Sequence, residues 1–90
     1  MLRISEIETT NSSVTLSLEG RMTGPWVDQV RQHCRQYLGN GRRLKLNLAE
    51  LSFVDRKGAS LFRDLISRGV ALDNCSPFIA ERLKEVPHDE

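Results

Sequence analysis

The chain is poor in the residues that most metal and covalent chemistry requires. It has two cysteines and two histidines among 90 residues. Cys34 and Cys75 form no C-x-x-C pair, and a structural zinc site needs a full tetrahedral set of Cys or His ligands. A small disulfide scaffold also needs more cysteines than these. Both thiols are therefore expected to be free and buried in a reducing cytosol. No apolar run approaches the roughly 20 residues of a membrane helix. The first residues hold no apolar stretch of the signal-peptide kind. The expectation is a cytoplasmic chain without direct membrane insertion. Net charge is only +1 at pI 7.8, which lacks the basic excess of a nucleic-acid binder. There is no G-x-G-x-x-G run and no Walker A run, so a phosphate-cradling loop is not expected.

The residues present pattern well. A mass of 10.2 kDa allows one hydrophobic core and one domain, residues 1–90. Apolar residues make up 39% and charged residues 28%, which fits a globular chain. Leu2 and Ile4 alternate with polar neighbours, then residues 8–13 read as a polar turn. Val14, Leu16 and Leu18 give a half-buried strand that Gly20 is expected to end. The two strands predict an antiparallel hairpin. Pro25 suits the first turn of a helix, with Thr23 or Gly24 before it as cap. Trp26, Val27, Val30, Cys34, Tyr37 and Leu38 fall on one stripe of that helix. Gly39, Asn40 and Gly41 stop it.

Leu44, Leu46 and Leu48 make a third strand. A strand, a helix and a strand in succession predict parallel neighbours. Residues 49–54 read as a loop anchored by Leu51 and Phe53. Asp55 stands where the cap of a second helix belongs, and Ala59, Phe62, Leu65 and Ile66 give that helix its inner face. It ends near Arg68 and Gly69. Val70 and Leu72 suggest a short strand, and Ser76 with Pro77 opens a third helix. That helix is expected to turn Phe78, Ile79 and Leu83 inward and Glu81, Arg82, Lys84 and Glu85 outward, and to stop at Pro87 before a frayed tail. The class is α/β, with helices mainly on one side of a single sheet.

No catalytic set assembles from these positions. His33 and Cys34 are adjacent on a helix and point about 100° apart. Glu50 and Asp55 are explained by a solvated charge and a cap. No enzyme and no cofactor is expected. Charge is uneven: residues 21–45 carry six basic side chains against Asp28, net +5, while both ends of the chain are acidic. Solvated faces explain such runs, and so does a basic patch that meets an acidic partner.

Residues 44–67, LKLNLAELSFVDRKGASLFRDLIS, are the informative stretch. A strand leads to a loop ending in Phe53, Val54 and Asp55, and Gly58, Ala59, Ser60 and Leu61 continue it into a helix. This resembles the signature of the STAS domain, shared by bacterial anti-sigma factor antagonists and the tails of sulfate transporters. The segment from Leu18 to Met22 is similar to the element that precedes the family's first helix. Asn74, Cys75, Ser76 and Pro77 resemble the turn before its last helix. The order of elements agrees over almost the whole chain.

The resemblance implies a four- to five-stranded mixed sheet with helices mainly on one face. It also implies a protein-binding switch in transcription signalling. In the antagonists, two Ser or Thr residues stand between the Asp and the Gly and receive a phosphate from a kinase-like anti-sigma factor. Here those positions are Arg56 and Lys57, so the phosphorylation site is lost. The second helix is also shorter than in many members. The partner-binding surface implied is Arg21, Met22 and Thr23 with Phe53, Asp55, Arg56 and Lys57, flanked by Arg63 and Ser67 on the second helix. The partner implied is a kinase-like anti-sigma factor or another signalling protein. Two alternatives remain open: a transporter ATPase subunit, as for stand-alone STAS subunits of ABC-type lipid transporters, and an anion or nucleotide held by Arg56 and Lys57. A homodimer is compatible with each.

Overall fold

A computed structural model describes residues 2–85. Strands β1 (Leu2–Thr9) and β2 (Ser13–Met22) are followed by helix α1 (Pro25–Gly39). Then come β3 (Arg43–Asn47), β4 (Leu51–Val54), α2 (Arg56–Ser67), β5 (Ala71–Asp73) and α3 (Pro77–Glu85). The strands form one five-stranded mixed sheet with β2 at its centre. β1 lies antiparallel along one side of β2, from Leu2 opposite Gly20 to Thr9 opposite Val14, with a bulge between Glu6 and Glu8. The other side of β2 is shared. β3 runs parallel to its first half, and β4 runs parallel to Gly20, Arg21 and Met22. β5 adds to β3 as a short parallel edge.

The alternation expected for β2 is realised. Val14, Leu16 and Leu18 are buried, as are Leu44 and Leu46 of β3, and the helices cover that face. Thr15, Lys45 and Asn47 stand on the opposite face. Val27, Val30 and Cys34 of α1 pack onto the Leu face. So do Leu61, Phe62 and Leu65 of α2. Burial of a side chain such as Phe62, which is wholly enclosed, contributes about 1.5–3 kcal/mol.

Several boundaries differ from the sequence expectation, each for a tertiary reason. β1 continues through residues expected to be a turn, because the bulge lets Glu8 and Thr9 keep pairing. β2 does not end at Gly20. It runs on to Met22 because residues 51–54, expected to be a loop, are a strand that pairs with it. The register shifts between Gly20 and Arg21, which is why β4 buries Leu51 and Val54 rather than alternate residues. Ile66, expected inward, is 48% exposed, while Leu61 is buried on the inner face of α2. Phe78 is 50% exposed. Ile79, its neighbour about 100° round the helix, is in the core as expected. The cap of α3 is as expected, with Ser76 Oγ accepting the Ile79 N–H at 3.2 Å. The outward placing of the Glu85 side chain, the stop at Pro87 and the tail of His88, Asp89 and Glu90 lie outside the described residues.

Candidate functional site

The site is built where β4 hands over to α2. Val54 is fully buried, so the chain has to turn sharply to leave the sheet. Asp55 makes that turn in extended geometry and caps α2: its Oδ1 accepts the Gly58 N–H at 2.8 Å. Its other oxygen, Oδ2, accepts the Gly24 N–H at 3.0 Å. Gly24 is the residue before α1, at φ 53°, and it offers no side chain to cap that helix. The left-handed backbone there suits glycine alone among ordinary residues. The Asp55 N–H in turn donates to the Met22 carbonyl at 3.1 Å. One residue thus ties the starts of α1 and α2 to the end of β2. Gly58 completes the junction by close approach. A Cβ there would collide with Val54 Cγ2 and stand 3.2 Å from the Met22 carbonyl.

Arg56 and Lys57 occupy the first two positions of α2 and are exposed. Among the described residues neither makes an ion pair. Cations at a helix N-terminus face its positive end, at a cost of about 0.3–1 kcal/mol each. The Asp55 carboxylate offsets part of that. Stability therefore gives no reason for this pair. Of the hydroxyls near this pair, Ser60 is half-buried and Ser52 donates to the Gly20 carbonyl at 2.9 Å.

The other expected surface residues separate into two groups. Arg21 is exposed beside the junction, its guanidinium carbon 5.1 Å from the centre of the Phe53 ring. Such contacts contribute about 0.5–1 kcal/mol at exposed sites. Thr23 is half-buried, and its carbonyl accepts the Trp26 N–H at 3.1 Å. The remaining residues point elsewhere. Met22 is fully buried, so its side chain cannot line a surface. Arg63 is half-buried and donates to the Leu83 carbonyl at 2.6 Å, which joins α2 to α3. Ser67 is exposed, its hydroxyl donating to the Asp64 carbonyl at 2.6 Å. It sits at the far end of α2, about 16 Å along the axis from Arg56 at 1.5 Å per residue.

Three residues of the site escaped the sequence reading. Gly24 holds the second bond of Asp55. Phe78 lies with its ring centre 6.2 Å from that of Phe53. Arg82 places its guanidinium carbon 5.6 Å from the same ring and its Nε–H 3.3 Å from the Val54 carbonyl. Phe78 and Arg82 are four apart and so share a helix face, the one local signal available.

Among the described residues, no group of three or more His, Cys, Asp or Glu side chains could hold a metal ion. The Cys34 thiol is held up at about 12 by burial. It is inert as a nucleophile near neutrality. No described helix is long and apolar enough to cross a membrane.

No protein-family model matches the chain, and no curated protein sequence does. Among solved structures it is similar to an anti-sigma factor antagonist, SpoIIAA, in its unphosphorylated form. The TM-score is 0.67 at 24% identity, over 94% of this chain and 84% of that one. At that identity the likeness speaks for the fold. With a five-stranded mixed sheet and three helices among the described residues, the chain has the fold of that antagonist.

Proposed function

We propose that residues 1–90 form a protein-interaction module of the anti-sigma factor antagonist type, acting in the cytoplasm in bacterial transcription signalling, without control by phosphorylation. The observation that carries this is the capped start of α2. In a fold similar to that of an antagonist, Asp55 and Gly58 build a helix N-terminus that presents its first two side chains to solvent. Those side chains are Arg56 and Lys57. A phosphate at such a position would add a charge of about −1.5 to −2. Here the same position is permanently cationic, so docking is not switched there. Arg21 and Phe53 extend the surface on the β2 and β4 side, and the partner is a kinase-like anti-sigma factor.

The test is a pull-down from the native host, with the wild-type chain and an R56S/K57S variant as baits. Both are expected to retain a protein with a kinase-like ATP site. With labelled ATP, only the variant should take up phosphate. Retention of an ABC-type ATPase instead would assign the chain to a transport complex. Retention of neither would remove the signalling reading.

A further inference from the structure

The aromatic pair between β4 and α3 extends beyond the capped helix start. Phe78 leaves half of its surface in solvent, and Phe53 beside it is half-buried. Arg21 and Arg82 both bring guanidinium groups over the Phe53 ring. The bond from Arg82 to the Val54 carbonyl places α3 against the residue just before Asp55. Phe53 itself stands three positions before Arg56 in the chain. Asp55 accepts from two backbone amides, and Glu81 reaches Lys84 at 3.9 Å. The result is a partly exposed aromatic pair beside cationic side chains.

We infer that this surface docks an acidic segment of a partner protein that carries an apolar side chain. Its carboxylates meet Arg21, Arg56 and Lys57, and its apolar group packs on Phe78. The inference rests on the docking reading above and adds the chemistry of what docks. Charge complementarity selects the acid, and the half-exposed ring selects the apolar group. Single-stranded nucleic acid fits less well. Base stacking needs free ring faces, whereas guanidinium groups already lie over Phe53, and the net charge is only +1.

A displayed library of short random peptides, panned on the immobilised full chain, reads this chemistry directly. The expected peptides combine Asp or Glu with Phe, Leu or Trp. A fluorescent copy of the best one should bind saturably and weaken as salt rises. It should lose roughly tenfold in affinity in F78S and in R21E. Thermal melts establish that the variants fold, and R21E decides alone if F78S melts early. Peptides without acidic enrichment overturn the inference. So does unchanged binding by R21E, or binding of a single-stranded oligonucleotide in place of any peptide. A successful pull-down with no peptide selected overturns this inference alone. A failed pull-down with acidic peptides selected overturns the signalling reading alone.

Discussion

Replacing Asp55 by alanine removes two acceptors with one substitution, and each loss can be worked out separately. The bond to the Gly58 N–H is a helix cap, whose removal costs about 1 kcal/mol. The bond to the Gly24 N–H is part-buried and made to a carboxylate, and its loss costs about 1.5–3 kcal/mol. Together D55A should lose about 3 kcal/mol. For a domain of this size that corresponds to a fall in Tm of about 15 °C. Asp55→Ser separates the two parts. A serine hydroxyl can cap Gly58 but cannot also span to Gly24, so D55S should lose about 2 kcal/mol. Urea titration followed by circular dichroism gives both values. Amide hydrogen exchange adds the location: in D55S the Gly24 amide should exchange faster while Gly58 stays protected. If D55A lies within about 0.5 kcal/mol of wild type, the junction described here does not hold the helices. If D55S matches wild type while D55A does not, the Gly24 bond carries no weight.

Three further outcomes follow from the core. Gly58→Ala should destabilise by about 1–3 kcal/mol in urea, although alanine favours helix by about 1 kcal/mol, because the new methyl meets Val54 and a backbone carbonyl that cannot move aside. A more stable G58A would contradict that packing. Cys34 should resist a thiol reagent in the native state and react only as fast as the chain opens, while the half-buried Cys75 reacts sooner. The pH dependence has a definite sign. The Cys34 thiol ionises near 9.0 when unfolded and near 12 when folded, so its contribution is complete below pH 9 and is lost as pH climbs from 9 towards 12. Wild type should lose stability over that range more steeply than C34A, by up to about 1.4 kcal/mol per pH unit. Parallel curves would refute it.

Much of the fold was legible because its signals are local. Alternation at Val14, Leu16 and Leu18 marks a strand, and Pro25 and Pro77 mark helix starts. Asp55 ahead of Gly58 marks a cap. What escaped depends on neighbours distant in sequence. β4 exists because β2 runs past Gly20, and a four-residue strand with a shifted register shows no period of its own. Phe78 and Ile79 are equally apolar and adjacent, so only the packing of α3 decides which is buried. The bond from Asp55 to Gly24 spans 31 positions, and the contact of Arg82 with Val54 spans 28. No window of sequence contains either. The same distance explains the surface residues. Met22 and Arg63 sit in segments that resemble a docking face, but one side chain belongs to the core and the other to the seam with α3.

The bulge in β1 bears on how copies of this chain can meet. A sheet with free margins invites a second sheet to extend it, and β1 offers the longer margin, eight residues against three in β5. The bulge interrupts that ladder midway, and Glu6 and Glu8 flank the break with like charge while Ile7 stands between them in solvent. An incoming strand would find neither a continuous row of amides nor a neutral surface. The margin with the most backbone to offer is thus the one guarded against uncontrolled growth.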